Sequence, residues 1–199
     1  MNLNLNVILP LIISFILFFY SDLISLKLKL IDYPDKIRKK HKFPVPKTGG
    51  VIVYISIILF LFLQDKFYEN LNFIIFITFF LFLGLIDDIK NLSSTFRLLF
   101  SFIFIIVFLL IVDELRVNNL KIFNRDINLE SYLGFSTNIL FTALCILLIQ
   151  NAINMMDGIN TICATFIIFC IFLFNLKYNY SEIEILLISN LIIFIFFNY

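Results

Sequence analysis

Between Asn151 and Asn160 the chain places Asn151, Asn154, Asp157 and Asn160 between runs that are otherwise apolar. Polar side chains are costly inside a membrane and mark functional positions there by default. Two further polar islands precede this one. Adjacent carboxylates Asp87 and Asp88 close an apolar run, and the stretch from Asp32 to Gly50 carries Arg38, Lys39, Lys40, His41, Lys42, Lys47 and the pair Gly49 and Gly50. Clustered oxygen donors suit a hard cation such as Mg²⁺. The basic residues, joined by Arg97, can neutralise phosphate oxygens, and the glycines let a backbone come close to them. Together the islands point to phosphoryl transfer at a membrane surface.

Each piece also has an ordinary explanation. A carboxylate pair at a helix end can be an interfacial cap. A basic loop attracts anionic lipid, at about 1 kcal/mol per residue near the surface. His41 is the single histidine of the chain and sits in a lysine-rich loop. Pro44, Pro46, Gly49 and Gly50 punctuate a loop by default. The weight lies in the three islands occurring together.

The elements that must position them are membrane helices. With 61% hydrophobic residues, mean hydropathy +1.02, 15% charged residues and 27 Phe, the chain has far more apolar surface than one aqueous core can hide. Runs of suitable length occur at Val7–Leu26, Val45–Leu63, Phe67–Ile86, Phe96–Val112, Leu133–Ile149, Ile159–Leu176 and Ile183–Phe197. The expectation is an all-α, polytopic transmembrane bundle of about seven spans, a single membrane domain over residues 1–199. Its second span is the least regular, because Pro46, Lys47, Gly49 and Gly50 occupy the start.

Charge orients the bundle. Lys27, Lys29, Lys36, Arg38, Lys39, Lys40, Lys42, Lys47, Lys90 and Arg97 fall on one side, leaving only Lys66, Arg116, Lys121, Arg125 and Lys177 of the 15 basic residues for the other. The first side is therefore expected to be cytoplasmic, with the N-terminus outside and all three islands on the cytoplasmic face. The outward linkers, including Asp113–Tyr132, show no pattern that suggests chemistry. Cys145, Cys163 and Cys170 lie in apolar runs, as packing residues rather than disulfides or metal ligands. Nothing in the composition calls for nucleic acid.

In this order and spacing the islands resemble the polyprenyl-phosphate N-acetylhexosamine-1-phosphate transferases, glycosyltransferase family 4. That family includes undecaprenyl-phosphate GlcNAc-1-phosphate transferases and the lipid I translocase of peptidoglycan synthesis. Its Asp-x-Pro…Arg-Lys-x-His…Pro-x-Pro-[Lys/Arg]-x-Gly-Gly loop is matched by Asp32, Pro34, Arg38, Lys39, His41, Pro44, Pro46, Lys47, Gly49 and Gly50. Its Gly-x-x-Asp-Asp element is matched by Gly84, Asp87 and Asp88, with Leu92 and Arg97 following, and its Asn-x-x-Asn-x-x-Asp-Gly element by Asn151, Asn154, Asp157 and Gly158. Many members continue Asp-Gly-x-Asp-Gly-Leu, whereas Asn160 stands here for the acid and Thr161 for the glycine. Asn at that position is similar to O-antigen-type members and reads as a difference of substrate subfamily.

The resemblance implies transfer of N-acetylhexosamine-1-phosphate from a UDP-sugar to undecaprenyl or another polyprenyl phosphate, releasing UMP, as the first membrane step of a cell-envelope polysaccharide. It assigns catalysis to Asp87, Asp88 and Asp157, substrate binding to Arg38, His41, Lys47, Arg97, Asn151, Asn154 and Asn160, and Mg²⁺ (or Mn²⁺) binding to Asp88, Asn154 and Asp157. The implied setting is the bacterial inner membrane, with a homodimer as a compatible state. The family's later Gly-Asp-x-Gly-Ser element and further helices do not occur in these 199 residues, so the chain is expected to be C-terminally incomplete relative to the family. Two rivals stay open: an inactive truncated homologue, and a non-enzymatic membrane protein such as a transporter. A transporter would favour polar sites near mid-bilayer within an inverted repeat.

Overall fold

The computed structural model describes residues 5–32, 44–123, 125–129, 137–156 and 161–198. Helices dominate, and they fall into two compact units, residues 1–91 with 159–199 and residues 92–158.

The first unit begins with α1 (Leu5–Phe19) and α2 (Ser21–Leu28). The expected straight span Val7–Leu26 is instead broken between them by a 69° bend. The break falls where Ser21 and Asp22 interrupt the apolar run, and Asp22 enters the first turn of α2, where the helix dipole favours an acid. Strands β1 (Ile31–Asp32) and β2 (Val45–Pro46) pair antiparallel, Ile31 with Pro46 and Asp32 with Val45. The second apolar run therefore starts as strand, and its helix α3 occupies only Gly49–Leu63. A proline lacks the N–H that a helix interior needs, so Pro46 stays outside. Helix α4 (Leu71–Lys90) follows.

The second unit holds α5 (Ser94–Ile111), a 3₁₀ turn (Asp113–Leu115), the antiparallel strands β3 (Asn119–Ile122) and β4 (Arg125–Asn128), and α6 (Thr137–Met156). Helix α6 continues past the fifth apolar run, so Asn151 and Asn154 are helical rather than part of a linker. Helices α7 (Ile162–Asn175) and α8 (Glu182–Phe197) return to the first unit.

By length and composition, three of these helices (α4, α5 and α6) can cross a membrane, or four if the bent α1 and α2 form one span; α3 and α7 are apolar but shorter. The core of the first unit is Val7, Ile57, Phe60, Leu61, Ile74 and Leu186, drawn from α1, α3, α4 and α8. A polar seam runs through the same packing. Asn190, fully buried, donates to Ser56 Oγ at 2.9 Å, and Ser56 Oγ donates to the Pro10 carbonyl at 3.4 Å. Pro10 lies inside α1, so these bonds join α1, α3 and α8 where apolar contact gives little preference between helix and lipid.

Candidate functional site

The short β1 and β2 ladder positions the first island. Lys29 ends α2 in a left-handed conformation, Leu30 turns inward and is buried, and its carbonyl accepts the Lys47 N–H at 2.9 Å. Lys47 is thus fixed by backbone bonds before its side chain does anything. Arg38 and His41 lie outside the described residues.

The side chain of Lys47 reaches the second island. Its Nζ donates to Asp88 Oδ1 at 2.9 Å, with side-chain exposures of 26% and 32%. Asp87 and Asp88 do not trail off the end of a span. They occupy the last turn of α4, which Asn91 closes in a left-handed conformation with its N–H on the Asp87 carbonyl at 2.7 Å. In this position the acids are not N-caps. A capping carboxylate accepts N–H groups at a helix N-terminus, whereas the C-terminal turn carries the negative end of the dipole and disfavours each acid by about 0.3–1 kcal/mol. Lys90 on the same turn and Lys47, just after β2, supply compensating positive charge.

The ground beside the acids is open. Gly84 precedes Asp88 by one helical turn and shares its face, and a Cβ there would meet nothing within 4 Å. Packing among the described residues thus gives no reason for glycine, and a ligand could approach the backbone at this point. The first-island glycines differ. A Cβ on Gly49 would lie 2.7 Å from Phe194 Cε2, so Gly49 makes room for an aromatic ring rather than for phosphate; Gly50 has only an ordinary contact with Leu81. Both glycines belong to the first turn of α3, not to a loop. Next to Lys47, Thr48 is 1% exposed and its hydroxyl has no hydrogen-bond partner among the described residues. Nothing in the sequence singled it out.

In the second unit, Arg97 sits half-buried in the first turn of α5, after Ser93 caps that helix by accepting the Phe96 N–H at 3.2 Å. Asn151 and Asn154 are exposed, one turn apart near the end of α6. Just before them Gln150 donates to the fully buried Ser101 Oγ at 3.0 Å and ties α6 to α5. Gln150 is absent from the sequence-based candidates, although a glutamine in a strongly apolar run is a signal for such a bond. Asp157 and Asn160 lie outside the described residues.

Among the described residues no three His, Cys, Asp or Glu side chains gather as a metal site. The structure does bring the first and second islands together, through Lys47 and Asp88. The donor set at the end of α4 fits Mg²⁺ chemically: adjacent carboxylates, half-exposed, on a turn that already needs positive charge.

The model of glycosyl transferase family 4 matches residues 70–199. The chain is similar to the phospho-N-acetylmuramoyl-pentapeptide-transferase of Dictyoglomus thermophilum, 28% identical over 168 residues, covering 79% of this chain and 52% of that protein. It therefore spans about half the length of this curated relative. No solved structure matches.

Proposed function

The chain belongs to glycosyl transferase family 4, and from that premise we propose that its polar islands serve transfer of a sugar-1-phosphate from a UDP-N-acetylhexosamine to a polyprenyl phosphate. The observation that carries the reading is the ion pair of Lys47 and Asp88. Two motifs 41 residues apart in sequence meet at 2.9 Å, one bringing a cation for phosphate and the other a carboxylate pair for a metal.

An oxygen of the lipid phosphate attacks the β-phosphorus of the UDP-sugar, a new P–O bond forms, and the bond to the bridging oxygen breaks so that UMP leaves. The second pKa of a phosphomonoester is about 6, so the nucleophile is largely dianionic at neutral pH and no general base is required. Direct displacement follows, and the protein's work is positioning and charge neutralisation. Lys47 holds a phosphate oxygen, exchanging Asp88 for it. Asp87 and Asp88, with Asp157 and Asn154 assigned by motif, would hold Mg²⁺ (or Mn²⁺), which supplies positive charge to the transferring phosphates. Arg97, Arg38 and His41 contact diphosphate or lipid phosphate, and Asn151 and Asn160 contact the nucleotide sugar. The setting proposed is the cytoplasmic face of a bacterial inner membrane.

The test follows UMP release and lipid product in membranes carrying the chain, supplied with polyprenyl phosphate, UDP-N-acetylglucosamine and Mg²⁺. Asp88→Asn keeps the shape and removes the charge, so the rate should fall about 10²–10³-fold, the usual cost of one such electrostatic contact. Insertion should be unchanged. An Asp88→Asn variant with most of the wild-type rate would overturn the assignment. A wild-type chain releasing no UMP would favour the inactive homologue.

A further inference from the structure

Strands β3 and β4 form a hairpin in the segment between α5 and α6. Pairing of Leu120 with Ile127 and of Ile122 with Arg125 places these four residues on one face, while Asn119, Lys121, Asp126 and Asn128 share the other. The first face is apolar apart from Arg125 and the second is polar throughout. At the base Leu120 and Ile127 are half-buried; toward the tip Ile122 is 47% exposed and Phe123, at the turn, 98%. Phe123 has φ 46°, a conformation that bulky residues rarely adopt. This strained phenylalanine, at the turn beside the apolar face, is almost fully exposed and packs on little among the described residues.

The base is welded to α6. The Val117 N–H bonds Thr142 Oγ1 at 2.9 Å, Asn138 Nδ2 bonds Asn118 Oδ1 at 2.9 Å, and both Thr142 and Asn138 are buried. Helix α6 has 20 residues, about 30 Å at 1.5 Å per residue, which matches a hydrocarbon core. Its first turns, and the hairpin base with them, therefore lie at the membrane boundary.

Four residues of strand reach about 13 Å, and the headgroup layer on each side is roughly 5–8 Å deep. An upright hairpin would push Phe123 through that layer into water. We infer that the hairpin lies along the membrane surface, with Ile122 and Phe123 seated in the lipid interface and Arg125 reaching the phospholipid phosphates. Arg125 shares the apolar face and can bury its stem while its guanidinium meets phosphate, as arginines at interfaces do. Exposed Leu110 and Ile111 at the end of α5, and Leu115 after it, precede the hairpin in the chain.

The chain has no tryptophan, so Phe123→Trp creates a single tryptophan whose emission can be excited selectively at the red edge, apart from the tyrosines. In phosphatidylcholine and phosphatidylglycerol vesicles its emission should shift to shorter wavelength. Lipids brominated near the carbonyl should quench it more than lipids brominated at the chain end. Ile122→Trp should behave alike, and Asn119→Trp, on the polar face, should stay red-emitting and weakly quenched. Water-like, unquenched emission from both Phe123→Trp and Ile122→Trp would overturn the inference. So would a blue shift that fades on lipid dilution without quenching, since that would identify a second copy as the cover. Equal quenching at Asn119→Trp would overturn the assignment of faces.

Discussion

Two acids at the negative end of a helix dipole cost stability. Asp87 and Asp88 stand in the last turn of α4, and Lys47, the residue after β2, faces Asp88. Gly49 shows the opposite relation between a motif residue and its role. Its missing side chain is filled by the Phe194 ring, which itself packs on Phe18 at 6.0 Å between centroids. Gly49→Ala should therefore destabilise the first unit by about 1–3 kcal/mol through overpacking. Gly50→Ala, with only one contact at 4.0 Å, should be neutral or slightly stabilising, since alanine is the better helix former. Unfolding of the two variants in mixed micelles, followed by circular dichroism, separates them. Equal midpoints would show that the Phe194 ring moves aside freely.

Helices α1, α3 and α8 are held by side chains that hydropathy alone would penalise. Asn190 donates to Ser56 and to the Leu186 carbonyl, both at 2.9 Å. Interhelical bonds of this kind contribute about 0.6 kcal/mol on average in membrane proteins, and up to about 1.7. Asn190→Ala should lower stability by an amount in that range, measured by the same unfolding titration, and Ser56→Ala in the same background should add little. An additive loss from the second substitution would show that the two residues act separately. The start of α8 is a capping box absent from the sequence-based expectations: the Ser181 hydroxyl accepts the Glu184 N–H at 3.4 Å and the Glu184 carboxylate accepts the Ser181 N–H at 2.8 Å. Such a capping box is local, so sequence suffices to find it. The bend between α1 and α2 is not local, because apolar residues on both sides of it satisfy a straight span equally well.

At the scale of the molecule, the asymmetry of Lys and Arg sets sidedness. Asn91→Cys, beside the acidic pair, should react with an impermeant maleimide only from the cytoplasmic side. Asn119→Cys, on the polar face of the hairpin, should react only from outside. Both need a background in which Cys145, Cys163 and Cys170 are replaced. Labelling of both positions from the same side would overturn the orientation, and with it the shared face of the three islands.

Membrane class, family and the three islands were determined by the sequence itself. Partitioning into a bilayer depends on the composition of each run, and the motifs are sets of residue types at short spacing; neither needs a partner elsewhere in the chain. Tertiary structure decided what those residues meet. That Lys47 faces Asp88, that Gly49 gives way to Phe194, that Gln150 bonds Ser101, and that Asp113–Tyr132 contains a two-faced hairpin all depend on how distant segments pack. Charge pairs and buried contacts form between residues far apart in sequence. Their energies follow from distance and burial, and only the folded chain sets those.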